Sequence, residues 1–545
     1  MAAAKTTKRG AELLADTRLN KGSAFTQAER EALGLIGLLP PTPESEDLQL
    51  QRILQHLGTK TLDIERYVYL LGLLDRNETL FYRVLMSDPA RFMPIVYTPT
   101  VGEACLKFDH LFRRARGMYL SIDRKGKVKE TLRNWPEKDV RFICVTSGGR
   151  ILGLGDLGAN GMGIAIGKLQ LYTACAGIPP SALMPMVLDF GTDNETLLAD
   201  PLYMGLRRHR APTAEVDAFV EEFVEAVQDV FPKCCIHFED WAGVDAVRLL
   251  ARYRDKVLCY NDDIQGTAGA ALTGLMGALR VTKNKLADHR VLFLGAGSAG
   301  VGIADLIVTA MMQDGLSEKE ARGRVSLFDI HGLIQSKRTD LLDFQKPYAH
   351  DEAAQTDLVA AIEALKPSIL IGVSTKAKAF NQKVIEAMAR LNKNPVIFAL
   401  SNPTDHAECS AEEAYKWSEG RALFASGVPF DPVRFNGRLL VPGQGNNVYV
   451  FPAVSLAVFA TEATRVTDEM FIAAARGVAE SVTQAELDAG SLYPPQSGIF
   501  ETEVKAAVRV AETIFARKLA RVEKPKDIEA FIRSKLYTPK YPDLV

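Results

Sequence analysis

From Val140 onward, short apolar runs of three to five residues alternate with longer helical stretches, and no other feature limits the fold of this chain so tightly. The alternation marks βαβ units, which build a parallel sheet flanked by helices. One series of runs lies at 142–145, 186–188, 235–238 and 257–260. A second lies at 291–294, 325–328, 369–373, 396–400 and 423–425. Before about Arg116 the patterning is helical, as in Ile64-Glu-Arg-Tyr-Val-Tyr-Leu-Leu71, and after Pro452 it is helical again. At 545 residues the chain exceeds the roughly 250–300 at which a single core stops growing. Two or more α/β and helical domains are expected.

The second series ends in small or polar residues: Gly295, Asp329, Ser374, Ser401-Asn402 and Ser426-Gly427. In open α/β sheets, ligands lie just beyond the carboxyl ends of strands. Gly-x-Gly-x-x-Gly occurs twice. At Gly295, Gly297 and Gly300 a four-residue apolar run precedes it and an apolar helix to about Met312 follows, with Ala296, Ser298 and Ala299 completing the turn. Such glycines let backbone approach a pyrophosphate at a helix N-terminus. Asp329 could accept hydrogen bonds from the adenosine ribose, although it lies farther on than the usual ~20 residues. The other match, Gly153, Gly155 and Gly158, leads into Ala159-Asn-Gly-Met-Gly163, too glycine-rich to start a helix at once. It is read as close-packed backbone beside another site. The expected fold is α/β: a Rossmann-like doubly wound parallel sheet domain, a second α/β domain, and a helical N-terminal domain.

Two further strand ends carry acids. Cys235-Ile-His-Phe-Glu239-Asp240 and Leu258-Cys-Tyr-Asn-Asp262-Asp263 are apolar runs that each stop at two consecutive carboxylates. Clustered at buried strand ends, such groups repel and lose solvation unless a cation joins them. Hard oxygen ligands without paired His or Cys suit Mg²⁺ or Mn²⁺ rather than zinc. On the pattern alone, a solvated loop of adjacent acids accounts for them equally well. Lys168 stands among apolar and small residues, where it could shed its proton and act as a base, or snorkel to the surface. Arg150 could fork onto a carboxylate. Tyr97 lies between Pro94 and Pro99 in what reads as a short extended piece, where it either aims a phenol or packs.

Composition narrows the partners. A formal net charge of −2 supplies no field to draw nucleic acid or an anionic membrane, so an acidic substrate must meet locally placed cations. Seven scattered cysteines without Cys-x-x-Cys spacing argue against a disulfide framework and for a reducing compartment. The cytoplasm is expected, with the mitochondrial matrix as the alternative. The uncharged stretch 169–188 reaches spanning length but contains Gly177, Pro179, Pro180 and Pro185, which disfavour a membrane helix. The basic start, Lys5, Lys8 and Arg9, lacks the apolar centre of a secretory signal.

Taken in order, these segments resemble the malic enzyme family. The matching stretches are Tyr97-Thr-Pro-Thr-Val-Gly102, Arg150-Ile-Leu-Gly-Leu-Gly-Asp-Leu-Gly158, Gly167-Lys-Leu-Gln-Leu-Tyr172, Phe238-Glu-Asp240, Asn261-Asp-Asp-Ile-Gln-Gly-Thr267, Leu400-Ser-Asn-Pro-Thr404 and Gly443-Gln-Gly-Asn-Asn447. The resemblance runs from about Leu19 to about Tyr493. It implies an Mg²⁺- or Mn²⁺-dependent enzyme that converts L-malate to pyruvate and CO₂ while reducing NAD or NADP, and that also decarboxylates oxaloacetate. A homo-oligomer, dimer or tetramer, is implied as well.

By that resemblance Lys168 is the general base, Tyr97 the general acid, and Asp262 a catalytic neighbour of the metal. Glu239, Asp240 and Asp263 are the metal ligands. Arg150, Asn402, Asn446 and Asn447 hold substrate. Arg150, Asp263 and Asn402 also reach the dinucleotide, together with the turn at 295–300, Asp329 and Gln345. The implied domains are residues 1–116, helical and contributing Tyr97; 117–261, binding substrate and metal and completed by 447–515; 262–446, binding the dinucleotide; and a tail, 516–545. NAD is expected over NADP, because Asp329 favours a free 2′-hydroxyl and Gln345 stands where NADP-using members carry lysine. A one-residue shift puts Lys346 there, and Lys337 and Arg338 are within reach. The alternatives are a malolactic enzyme, forming lactate and CO₂ without net cofactor reduction, and a silent nucleotide-binding relative. Retention of Tyr97, Lys168 and all four acids speaks against the latter. Arg52 and Arg76 match an arginine pair that binds fumarate in some members. Departures are mild: Trp241 stands where many members have Phe, and Ser147-Gly148 where Asp-Gly is common. The tail past Val522 is short.

Overall fold

The computed structural model describes residues 6–545; Lys5, in the basic run at the start, lies outside them. The chain divides into two compact units, Met1–Val140 with Cys144–Val230 and Lys535–Val545, and Arg141–Ile143 with Phe231–Ser534. This partition differs from the expected boundaries. Residues 117–140 and 144–230 fall in the unit of the N-terminal helices, and residues 231–261 fall in the unit that holds the larger sheet. The C-terminal helices join it too, because Asp468–Glu480 lays its apolar face on Thr267–Thr282 and on Ile499–Ala516.

In the first unit, strands β1 (Met118–Ser121) and β3 (Leu183–Asp189) pair in parallel, with Met118 opposite Met186; β2 (Phe142–Thr146) straddles the division of the chain. Helix Met162–Ala176 is buried along its whole length and packs against Glu78–Ser87, Pro89–Val96 and Thr100–Leu106. It has no polar face because neighbours cover every side. The uncharged stretch 169–188 is the end of this helix, a turn at 177–182 and the strand β3. Among the described residues, no helix is long and apolar enough to cross a membrane. The extended piece expected between Pro94 and Pro99 is instead a helix end. Pro89 starts that helix, the Asp88 side chain caps it on Arg91 N, and Tyr97 closes it. The end of the chain is no loose tail. Tyr537 N–H donates to Gly177 O (2.6 Å), Asn77 donates to the Tyr541 hydroxyl (2.8 Å), and Leu544 joins a cluster with Leu13, Phe25, Leu33 and Leu35.

The second unit carries the parallel pair β4 (Cys235–Phe238) and β5 (Cys259–Asn261). Strand β5 begins two residues later than expected, because Val257 N–H still bonds to Tyr253 O (3.1 Å) in the turn that closes helix Gly243–Tyr253. The larger sheet contains β6 (Val291–Leu294), β7 (Val325–Asp329), β8 (Gly332–Leu333), β9 (Ile369–Gly372), β10 (Val396–Ala399) and β11 (Leu423–Ser426). A hairpin, β12 (Val433–Phe435) and β13 (Arg438–Leu440), precedes the short β14 (Gly443–Gln444). The order is β14-β11-β10-β9-β6-β7-β8, parallel except for β8. From β6 the chain runs one way to β7 and then returns to the other side at β9. The carboxyl end of β6 is thus a topological switch point, where open sheets bind ligands.

Candidate active site

In the first unit Lys168 Nζ lies 3.1 Å from the Tyr97 hydroxyl and 5.1 Å from its ring centroid. Lys168 is 2% exposed and Tyr97 8%, so the lysine does not snorkel. Gly167 makes the approach possible: a Cβ there would stand 2.7 Å from Val96 O and 3.1 Å from the Tyr97 ring. Arg150 is exposed. It follows a tight crossing in which Gly148 and Gly158 nearly touch, and a Cβ at Gly158 would meet the Tyr203 hydroxyl at 2.1 Å. The first glycine match is thus filled by protein at Gly158 and open at Gly155. Only after the turn Gly158–Gly161 does the helix bearing Lys168 begin.

In the second unit, carboxylate oxygens of Glu239, Asp240 and Asp263 lie within 4.8 Å of one another. Glu239 and Asp240 are 3% and 6% exposed. Asp240 turns into the left-handed region (φ +53°), and its N–H donates to Asp263 Oδ2 at 2.8 Å. Such backbone strain clusters at ligand-binding sites. Asp262, fully buried, opens a π-helical turn, Asp262–Gly266, and Asn447 Nδ2 donates to its Oδ2 (2.8 Å). Asn447, expected on substrate, thus holds Asp262. Asn446 caps the next turn, its Oδ1 accepting from Val448 N (2.9 Å). Asn402 is exposed beyond β10.

At the switch point, Gly295 (φ +115°) and Gly300 permit the turn, since a Cβ at either would stand 2.5 Å from a backbone oxygen. Gly297, by contrast, has nothing within 4 Å of its Cβ position. The loop is open where a phosphate would lie, at the start of the 16-residue helix Ser298–Gln313 that also holds Ala299. Gln345 Nε2 donates to Ala296 O at 2.8 Å, so Gln345 is tied to this loop, whereas Lys346 is exposed and paired with Asp343. Asp329 is not a free acceptor. Arg338 donates to both of its oxygens, each at 2.8 Å, and also to Asp340.

Two buried groups carry no signature in the sequence. Glu408 accepts from the Ser374 and Ser401 hydroxyls (2.9 and 2.5 Å), tying together the loops after β9 and β10. His237, opposite Tyr260 in the strand register, bonds through Nε2 to Glu239 Oε2 at 2.5 Å. Arg52 and Arg76 line one cavity of about 410 Å³ in the first unit.

Two family models match most of the chain between them. The model "Malic enzyme, N-terminal domain" matches residues 74–254 and "Malic enzyme, NAD binding domain" matches residues 264–515. The chain belongs to the malic enzyme family. It is 50% identical to the NADP-dependent malic enzyme of Anas platyrhynchos, over 99% of this chain and 97% of that one. To the NADP-dependent malic enzyme of Columba livia it is 49% identical, over 98% and 96%. The solved malic enzyme of Entamoeba histolytica shares the fold at 23% identity, with a TM-score of 0.56 over 82% of this chain and 80% of that one. The expected α/β class and the expected activity both hold: the protein is a malic enzyme, an oxidoreductase that decarboxylates malate oxidatively.

Proposed function

We propose that this malic enzyme works with Mg²⁺ or Mn²⁺ held by Glu239, Asp240 and Asp263, with Lys168 as base and Tyr97 as acid, and that it prefers NADP. The closeness of the three carboxylates carries the metal reading. At 4.8 Å and an effective dielectric near 20, each pair of full charges repels by roughly 3 kcal/mol, a cost that a divalent cation reverses. Three hard oxygens with no His or Cys among them fit Mg²⁺ or Mn²⁺. Such an ion, when bound, acts as a Lewis acid toward substrate oxygen, and the dinucleotide supplies the hydride acceptor.

The chain's own groups do the rest. Lys168 takes the proton of the malate 2-hydroxyl, and Tyr97 returns a proton to C3 once CO₂ has left. Their contact at 3.1 Å lets the proton gained by the lysine pass to the phenol, so one buried pair serves both halves of the reaction. The exposed Arg150 guanidinium forks onto a malate carboxylate, with Asn402 and Asn446 as further donors. Asn447 fixes Asp262. The seven cysteines, all buried thiols, support a reducing compartment, the cytoplasm.

The NADP preference replaces the NAD expected from Asp329 and Gln345. With Arg338 forked onto both Asp329 and Asp340, the Asp329 charge is neutralised, which weakens its repulsion of a 2′-phosphate. The relatives' NADP dependence points the same way. The test is kcat/KM with each dinucleotide in wild type and Arg338→Ala. Wild type should favour NADP, and the variant should lose that preference through KM. A wild-type preference for NAD, raised toward NADP by Gln345→Lys, would put the discriminator at Gln345 instead.

A further inference from the structure

Behind Glu239 runs a buried polar chain that the proposed mechanism does not use. His237 and Tyr260 are 0% exposed and face each other across the β4–β5 register. The Tyr260 hydroxyl lies 3.0 Å from His237 Nδ1 and 3.3 Å from Ser455 Oγ, and His237 Nε2 lies 2.5 Å from Glu239 Oε2. A Glu239 carboxylate that ligates a cation only accepts hydrogen bonds, and His237 Nε2 is placed to donate one to it. The ring cannot turn freely. It is tilted against Tyr260, with centroids 4.6 Å apart, and lies 6.2 Å from the Phe451 ring. One Glu239 oxygen is thereby held by the His237 ring.

We infer that His237 and Tyr260 are positioning residues that pre-orient Glu239 as a ligand for the divalent ion. The inference rests on the metal reading above. Partners that orient a metal ligand in this way typically contribute 10–100-fold in metal affinity. The chain Ser455–Tyr260–His237–Glu239 couples the helix Phe451–Thr461 to two strand ends, so the donor is fixed by packing and not by a loop.

The test is Mn²⁺ binding to metal-free enzyme, followed by the electron paramagnetic resonance of free Mn²⁺, without substrate or turnover. Wild type should bind one Mn²⁺. His237→Phe keeps an aromatic ring but removes the donor, and should weaken binding by roughly 10–100-fold. His237→Gln, which restores an N–H near the Nε2 position, should stay closest to wild type. Tyr260→Phe, lacking one oxygen, should weaken binding by a smaller factor. Wild-type affinity in both His237→Phe and Tyr260→Phe would overturn the inference and leave the metal site standing. Equal weakening in His237→Gln and His237→Phe would overturn the donor role, since ring packing alone would then matter. Failure of wild type to bind Mn²⁺ at all would overturn the inference together with the metal reading.

Discussion

The Lys168–Tyr97 pair of the first unit and the carboxylate trio of the second are both polar groups taken out of water, but they solve that problem in opposite ways. The pair is complementary, one group donating to the other at 3.1 Å. The trio brings three acceptors of like charge within 4.8 Å. Glu503 offers a third solution in the same unit as the trio. It is a lone, fully buried carboxyl whose Oε2 accepts from Ala453 N (2.8 Å), and burial pushes its pKa well above the usual carboxylate range. A single acid can keep its proton, and an acid beside a base can share one. Three acids at one point call for a cation. The contrast separates the residues that move protons from those that hold an ion.

The largest effect should come from the pair. Lys168→Arg places a permanently protonated group at the base, and general acid–base catalysis supplies about 10²–10⁴-fold. Malate oxidation should fall by at least that much, while dinucleotide binding, read by fluorescence titration, should persist. Turnover near wild type would remove Lys168 from the mechanism.

The trio should respond in its metal requirement. Asp263→Ala should raise the Mn²⁺ concentration for half-maximal rate steeply. Glu239→Gln should raise it less, because the amide oxygen remains a weak ligand. If both variants keep the wild-type Mn²⁺ dependence, the contrast between pair and trio collapses and the acids hold no catalytic ion.

The smallest effect concerns the lone acid. An acid whose pKa is higher folded than unfolded binds more protons in the native state, so its contribution to stability falls as pH rises from the ordinary carboxylate range toward the folded pKa. Glu503→Gln removes that dependence. The variant's Tm should vary less with pH above about 5, and its margin over wild type should grow toward pH 8. An unchanged pH profile would mean that Glu503 is already ionised.

Much of this was legible in the sequence. Periodicity located five of the seven strands of the larger sheet, because buried parallel strands are continuous apolar runs, and missed only the two-residue β8 and β14. The two glycine matches were separable by context: one follows a strand and opens a helix, and the other packs against Tyr203. What stayed illegible depends on partners distant in sequence. That Asp329 is claimed by Arg338 needs the loop after β8 to fold back. Asn447 reads as a substrate donor until Asp262, 185 residues earlier, is brought beside it. His237 is one polar residue in an apolar strand, and only the register with Tyr260 gives it a task. The strand β1 escaped notice because its four residues alternate between buried and half-buried, a weak signal at that length.

The central claim is metal-dependent oxidative decarboxylation of malate. Its most direct test is absorbance at the reduced-nicotinamide band after L-malate is added to metal-free enzyme with NADP, first with chelator and then with excess Mn²⁺. The account predicts no change with chelator and, after Mn²⁺, a rise matched mole for mole by CO₂. A rise that persists in chelator would contradict the metal's role. CO₂ without a rise, or neither with both dinucleotides and both metals, would contradict the account as a whole.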